Sequence, residues 1–301
     1  IRSILTLIGN PGNFQGLSQL KKLDLSGNVI RHLPDGLLDG LGRLELLRFR
    51  KNALASISER VFKDLVKLTH LHLHQNLLTT IHSRALVFMT ELEELLLQEN
   101  SLSYEAGSRN RFLSAHTFEK LRIINLSSNF ISAIEQNLVI TCLNLEVLDL
   151  SNNSFTQFRL ETFSNLINYG HLNVNLSGNQ IKRVDMRPTT TLAISFKDKT
   201  DKFTLDLSGN PLICDCFITE LKKKAEGSLN PNISKAFSLD NIDNLRCGQY
   251  PPRLSQRRLR EVPYDDLDCS FPSDELPKAC PDRCGCAWNR ANHHIKAGAY
   301  I

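Results

Sequence analysis

The sequence predicts an α/β solenoid with a curved parallel β-sheet on its concave face, an irregular or short helical convex side and a disulfide-capped C-terminus. Three observations predict it. The phrase Leu-x-x-Leu-x-Leu-x-x-Asn recurs along the chain, two further apolar columns keep the same period, and the cysteines gather after the last copy. The 301 residues could form one to three domains by size alone, and the repeats favour one elongated solenoid with small caps.

The recurring phrase is a leucine-rich repeat. Its Leu-x-Leu core puts two side chains on one face of a short strand, which buries them when copies stack into a parallel sheet. The closing Asn can satisfy buried backbone groups that no strand partner reaches, so stacked copies are expected to form a hydrogen-bonded ladder. We assign residues 1–210 to this array. The copies end at Asn28, Asn52, Asn76, Asn100, Asn129, Asn153, Asn179 and Asn210.

Two further apolar columns are expected to pack inward from the convex side. The column 11 residues before each closing Asn consists of Leu17, Leu41, Leu65, Met89, Phe118 and Cys142. The column 14 residues before it consists of Phe14, Leu38, Phe62, Leu86, Ala115 and Val139. We interpret Cys142 as a small core residue, because a catalytic cysteine needs an electropositive, partly open setting.

Composition suits a folded, soluble binding protein. Hydrophobic residues make up 41% and charged residues 23% of the chain, and the net charge of +4 is too small to imply nucleic-acid binding. No apolar run approaches the ~18 residues of a membrane span, and no signal peptide is visible. Residue 1 falls inside a repeat, so we expect a piece of a longer chain. No phosphate loop, nucleophile elbow or metal-spaced His/Glu motif is present, so we expect neither an enzyme nor a cofactor.

Seven of the eight cysteines lie from Cys214 onward. Cys214, Cys216, Cys247 and Cys269 directly follow the last phrase, which predicts a disulfide cap over residues 211–270 that covers the open edge of the array. A zinc site is the alternative. Disulfides persist in secreted compartments, so the chain is expected outside the cytosol.

Glycosylation sequons indicate the same compartment. Two of them place the asparagine between the strand leucines, where a glycan would obstruct the concave face. The four acceptor residues are Asn125, Asn152, Asn175 and Asn232.

A second cysteine motif, Cys280-Pro-Asp-Arg-Cys284-Gly-Cys286, follows the cap almost at once. A C-terminal cap that runs into an N-terminal cap resembles the middle of the ectodomain of arthropod Toll-type receptors, so residues 271–301 are expected to start a second N-terminal cap. The resemblance implies three disulfides and leaves Cys284 without a family partner. These disulfides are Cys214–Cys247, Cys216–Cys269 and Cys280–Cys286.

The resemblance implies ligand binding or dimerisation in an innate immune or developmental receptor. The expected partner is a secreted cystine-knot cytokine of the Spätzle type, or a second receptor copy in a homodimer. Attachment to the plasma membrane would come only through a segment missing from this sequence. Two alternatives stay open: a secreted Slit-like guidance or matrix protein, and a soluble pathogen-sensing glycoprotein.

The candidate protein-binding surface lies on three neighbouring repeats. It comprises Arg48, Arg50, His70, His72, His74 and Glu93. The three histidines alternate along one strand and therefore face the same way. They could form a solvated polar face, a pH-sensitive protein contact, because histidine titrates near pH 6.5, or a zinc site, for which a spacing of ~6.8 Å along a strand is awkward.

Two other features are less specific. The insertion from Tyr104 to Arg111 is polar and could be a functional loop or an irregular repeat. Six basic residues within the predicted cap could contact polyanions or form a solvated cap surface. They are Lys222, Lys223, Lys224, Arg257, Arg258 and Arg260.

Overall fold

The computed structural model describes residues 14–104, 112–113, 117–134, 142, 144–163, 171–186, 203–228, 238–267, 286–289 and 294–297. Its main element is a nine-stranded parallel sheet whose strands follow chain order, one from each repeat and a last one from the cap. With strands numbered in chain order, the sheet contains β1 (Lys22–Asp24), β2 (Leu46–Arg48), β4 (His70–His72), β6 (Glu94–Leu96), β8 (Ile123–Asn125), β10 (Val147–Asp149), β12 (Leu172–Asn175), β14 (Phe203–Asp206) and β15 (Ser238–Asp240).

The convex side is built from turns and short elements. Three two-stranded parallel pairs each join successive repeats. They are β3 (Ser56–Ile57) with β5 (Thr80–Ile81), β7 (Ser103–Tyr104) with β9 (Phe130–Ile131), and β11 (Gln157–Arg159) with β13 (Arg183–Asp185). A single 3-10 turn spans Leu160–Phe163 within the described part of the array. The predicted fold, a parallel solenoid with an irregular convex side, is confirmed.

The concave strands pair in one register, repeat on repeat. Leu23 aligns with Leu47, and Asp24 aligns with Arg48, which aligns in turn with His72. Because side chains alternate along a strand, the leucines share the buried face and the residues between them share the concave face.

The closing asparagines form the predicted ladder. Asn76 donates through Nδ2 to the carbonyl of Leu73 in its own repeat and to that of Phe49 in the preceding repeat, each at 2.9 Å. Its Oδ1 accepts from the backbone N–H of Leu54 at 3.1 Å. The pattern recurs at Asn52, Asn100, Asn129, Asn153, Asn179 and Asn210. Each Asn therefore joins two repeats through backbone groups that the strands leave unpaired.

The residue before each closing Asn adopts a left-handed backbone, with φ between 52° and 70°. Sequence analysis did not identify this feature. Glycine occupies only three of the eight positions, and the other five residues adopt a conformation that L-residues rarely use. The eight residues are Gly27, Lys51, Gln75, Glu99, Ser128, Asn152, Gly178 and Gly209.

The two convex columns are buried wherever they are described, except at the first repeat, where Phe14 is partly buried and Leu17 is exposed. Cys142 is fully buried in the core, as its interpretation as a small hydrophobic residue predicts. Leu17 is 47% exposed, so its prediction as a core residue was wrong. It precedes β1, the first strand of the described sheet, and no strand within the described ranges covers that side. Ala115 and Val139 lie outside the described residues.

The cap extends the sheet and fastens it with a disulfide. Strand β15 pairs with β14, which places a strand of the cap on the last repeat. Helix α1 (Thr219–Ala225) follows the repeats. Cys214 and Cys247 form a disulfide, the pair that the resemblance implies. Cys216 is also disulfide-bonded.

The remaining cysteines of the expected second cap are not described in the same detail. Cys269, Cys280 and Cys284 lie outside the described residues, and so does residue Asn232 of the sequons. Cys286 begins strand β16 (Cys286–Asn289), which pairs antiparallel with β17 (His294–Ala297). Within the described ranges, no helix is long and apolar enough to cross a membrane.

A buried lysine anchors the cap. The side chain of Lys222 is almost fully buried and forms an ion pair with Glu226. Its Nζ also donates to the carbonyl of Arg260 at 3.2 Å and lies 4.7 Å from the ring centroid of Tyr264. Burial and the neighbouring Glu226 carboxylate raise the pKa of Tyr264 to about 12. Lys222 is therefore a structural residue and is not available to a polyanion.

We expect Glu226→Gln to destabilise the cap by about 2 kcal/mol, because it leaves the Lys222 ammonium buried without its counter-charge. Lys222→Met is the matched control, since an apolar chain of similar length fits a buried site and leaves a carboxylate that is 28% exposed. Thermal unfolding and limited proteolysis of the cap measure both changes. A larger loss for the methionine variant than for the glutamine variant would contradict the assignment.

Candidate functional site

The arginines and histidines of the candidate protein-binding surface are called the patch below. The patch lies on the concave face, at strands β2 and β4 and the residues that follow these strands. Arg48 and His72 lie side by side in the register, and His70 lies beside Glu94 of strand β6. Leu46 is the neighbour of His70 on the other side. The sheet therefore brings together the arginines and histidines that the sequence singled out.

Ion pairs cross the patch from strand to strand. Arg48 Nη1 lies 3.7 Å from Asp24 Oδ2, and Arg48 Nε donates to His72 Nδ1 at 3.4 Å. Glu94 contacts two histidines. Its carboxylate oxygens lie 3.6 Å from His70 Nε2 and 3.5 Å from His72 Nε2. These contacts run over four repeats, from Asp24 through Arg48 and the histidines to Glu94, the carboxylate that both His70 and His72 approach.

The three histidine rings line up along β4. The ring centroids of His70 and His72 are 6.4 Å apart, and those of His72 and His74 are 5.9 Å apart. The His70 ring also contacts Thr69, with 2.7 Å between Nδ1 and Oγ1. Within the described ranges, no three His, Cys, Asp or Glu side chains converge on a point where a metal ion could bind.

Several polar atoms in the patch and in the next repeat are buried and lack a hydrogen bond. They are His72 Nε2, His74 Nδ1 and Gln98 Oε1. Glu94 lies at ion-pair distance from His72 Nε2 but does not make a hydrogen bond with it. Buried polar groups are nearly always paired in proteins, so this face has a hydrogen-bonding capacity that the chain itself does not meet.

Both inner histidines are held neutral. Burial is the main cause that lowers the pKa of His72, and the positive charges of Arg48 and His70 add to it, against the opposing effect of Glu94. Burial, His72 and Arg50 lower the pKa of His74. The patch at neutral pH therefore presents cationic arginines and uncharged, partly buried imidazoles.

These shifts predict a pH-dependent stability. A histidine with a lowered pKa in the folded state binds protons more readily when unfolded, so its contribution is present above the unfolded pKa of about 6.5 and is lost as pH falls below it. We expect the urea concentration at the midpoint of unfolding to decrease as the pH is lowered from 7.5 to 5. The double variant His72→Gln/His74→Gln should show a shallower fall than His32→Gln, a change at an exposed histidine. Identical pH profiles for the two variants would refute the assignment.

Glu93 does not lie beside the histidines. It lines a different cavity of about 760 Å³ with Glu119, Lys120, Arg122 and Glu146. Sequence reasoning chose Glu93 and missed its neighbour Glu94. The 24-residue spacing of these repeats contained the signal, because residue 70 plus one period gives residue 94.

The sequon residues occupy distinct settings. Asn125 and Asn175 end strands β8 and β12 on the concave face, and their Oδ1 atoms accept the backbone N–H of Ser127 at 2.9 Å and of Ser177 at 3.0 Å. Asn152 is exposed in a left-handed turn with φ of 52°. Glycosylation of these residues stays a prediction.

Comparison with known proteins identifies the class. The leucine-rich repeat family profile matches residues 9–54, 43–102 and 119–181, which is more than half of the chain. The chain therefore belongs to the leucine-rich repeat family. Human 5T4, also called trophoblast glycoprotein, shares the fold at a TM-score of 0.62 and 22% identity, over 84% of this chain and 88% of that chain.

Within this family, the chain is similar to Toll. Protein toll of Drosophila melanogaster is 31% identical over 168 residues, which are 55% of this chain and 15% of that protein. A chain in the solved Toll–Spätzle complex, described as a molecular hub in Drosophila development and innate immunity, superposes with a TM-score of 0.75 at 30% identity. That likeness covers 91% of this chain and 35% of the other. Together these likenesses support a Toll-type leucine-rich repeat ectodomain, and the chain spans 15% of Protein toll and 35% of the chain in the complex.

Proposed function

We propose that the chain takes part in recognising a secreted protein ligand, as a segment of a Toll-type receptor ectodomain. The observation that carries the proposal is the likeness to a chain of the Toll–Spätzle complex over 91% of the residues. A cystine-knot cytokine of the Spätzle type is the ligand we propose, with a receptor homodimer as the assembly. The role is binding, not catalysis, and the setting is extracellular.

We assign the contact surface to the patch of Arg48, Arg50, His70, His72 and His74, with Glu94 in place of Glu93. Arginine is enriched in the energetic centres of protein interfaces. Both arginines are exposed, although Arg48 also contacts Asp24 and His72, so both can meet acidic groups of a ligand. The unpaired ring nitrogens of His72 and His74 would gain hydrogen bonds that water or a partner must supply.

The domain organisation belongs to the same proposal. Residues 1–210 form the repeat array, residues 211–270 the C-terminal cap and residues 271–301 the start of a second cap. The pairs Cys216–Cys269 and Cys280–Cys286 are part of it. Peptide mapping of the non-reduced protein by mass spectrometry would identify both pairs, and a peptide that joins Cys216 to another cysteine would overturn the assignment.

Light scattering coupled to size-exclusion chromatography tests the ligand class, on the glycosylated protein alone and mixed with a Spätzle-type cytokine. We expect a complex of defined mass. Arg48→Ala/Arg50→Ala should weaken it about tenfold or more, whereas Asp149→Ala/Ser151→Ala, at the equivalent positions at the end of strand β10 and just after it, should have little effect on binding. No complex from the folded protein would refute this ligand, and equal effects of the two pairs would refute the patch.

A further inference from the structure

A polar groove lies where the last repeats meet the cap, on repeats that do not contribute to the patch. It encloses about 1,080 Å³, somewhat larger than the ~300–1,000 Å³ of ordinary small-molecule sites. Gln157, Lys182 and Arg183 line it from the repeats, and Arg246 and Tyr250 line it from the cap. An opening of this size suits a section of an extended ligand.

The floor of the groove is fixed by the junction between the repeats and the cap. The N–H of Ile213 donates to the carbonyl of Lys182 at 2.9 Å, and the N–H of Gly248 donates to that of Leu212 at 2.7 Å. A side chain at Gly248 would come within 2.7 Å of the Pro211 backbone, so this approach requires glycine. The disulfide at Cys247 lies next to this contact. The groove is therefore preformed, which lowers the entropic cost of binding.

The groove carries three cations against one carboxylate, that of Asp215, and its net charge is therefore positive. Lys182, Arg183 and Arg246 are exposed, and within the described ranges no carboxylate lies at ion-pair distance from them; the Arg246 guanidinium donates instead to the carbonyl of Gln256 at 3.0 Å. Asp215, which also lines the groove, uses its Oδ1 to accept the N–H of Phe217 at 2.9 Å.

Other cationic side chains of the cap are neutralised by neighbours. Arg260 Nη1 lies 2.6 Å from Asp243, and Asp266 lies 3.5 Å from Arg253 and 3.8 Å from Arg257. The three cations of the groove differ from these, because no carboxylate of the described residues forms an ion pair with them, and a concave surface of net positive charge concentrates anionic ligands.

The rest of the lining is rich in amides, which both donate and accept hydrogen bonds. Apolar side chains, which dominate the centres of protein interfaces, are few. The exposed amide residues are Gln157, Gln180, Asn244, Gln249 and Gln256. Amides suit a ligand with many hydroxyl groups, and the three cations suit acidic substituents on it. We propose that this groove binds an acidic polysaccharide chain, sulfated or carboxylated, through Lys182, Arg183 and Arg246.

Binding to immobilised heparin oligosaccharides in about 0.15 M salt tests the proposal. Three exposed ion pairs at about 0.5 kcal/mol each correspond to about tenfold in affinity, so Lys182→Gln/Arg183→Gln/Arg246→Gln should lower affinity by about that factor. The matched control is Lys22→Gln/Arg31→Gln/Lys67→Gln, which removes three exposed cations far along the sequence from the groove. It should change affinity less than twofold.

Three outcomes would overturn the proposal. Wild-type affinity in the groove variant would show that the groove is not the site. Equal losses in both triple variants would show that heparin responds only to net charge. Tighter binding of a polyglutamate peptide than of heparin, lost in the groove variant, would assign the groove to an acidic protein segment. Unchanged melting temperatures establish that each variant is folded.

Discussion

Replacing Cys214 and Cys247 together with alanine is expected to lower the stability of the cap by about 4 kcal/mol. The disulfide joins residues 33 positions apart, and a cross-link of that span stabilises mainly by restricting the unfolded chain. Both cysteines are buried, and the contact between Gly248 and Leu212 lies directly beside them. Loss of the disulfide should therefore release the junction between the last repeat and the cap.

Hydrogen exchange is the suitable measurement, because repeat proteins open locally and not as one unit. The amides of Cys247 and Gly248, which donate to the carbonyls of Arg257 and Leu212, should lose protection in the double variant. Cys142→Ala is the control: it removes a buried thiol from the repeats, costs about 1 kcal/mol and should leave the cap amides protected. Unaltered protection of the cap in the double variant would contradict the expected role of the disulfide.

Asn100→Leu is expected to cost about 3 kcal/mol, because it leaves the buried Leu78 N–H unpaired and removes one of the two asparagine hydrogen bonds that each of the Leu73 and Leu97 carbonyls accepts. Asn100 Nδ2 donates to the carbonyls of Leu73 at 3.1 Å and Leu97 at 2.9 Å, and its Oδ1 accepts from the N–H of Leu78 at 3.0 Å. Leucine has the same branched shape and is no smaller than asparagine, so the substitution leaves no cavity and the loss measures mainly the hydrogen bonds. Urea unfolding and exchange of the Leu78 amide report it.

Asn28→Leu provides the comparison at the first described repeat. Asn28 is only half-buried, and it donates to the carbonyls of Leu25 and Ser26 in its own repeat. We expect its replacement to cost no more than about 1.5 kcal/mol. If the two variants lost the same stability, the hydrogen bonds between repeats would contribute nothing, and the ladder would be a geometric coincidence.

Features that depend on the period could be predicted from the sequence. The ladder at Asn76 and the burial of Cys142 follow from position within the repeat, since every copy must place equivalent atoms in equivalent surroundings. The error at Leu17 has the same origin. A period assumes a neighbour on both sides, and the first described strand has one neighbour in the sheet.

Features that depend on contacts between particular side chains could not be predicted in this way. The pairing of Glu94 with His70 and His72 requires the register between strands, which a single phrase does not specify. The ion pair between Lys222 and Glu226 forms in the cap, where no repeat constrains the fold. Charge composition alone described Lys222 as a surface cation, whereas the structure buries it.

The uniform register also makes the array a modular scaffold. Arg48 and Asp149 occupy equivalent points on β2 and β10, four strand spacings or roughly 19 Å apart. Exchanging these two residues would move the charge pattern along the molecule and leave the backbone pairing of the sheet in place, with the loss of the hydrogen bond from the Ser151 N–H to Asp149 Oδ1. New recognition surfaces can thus arise in such a chain by relocation of side chains, while the structure that supports them stays the same.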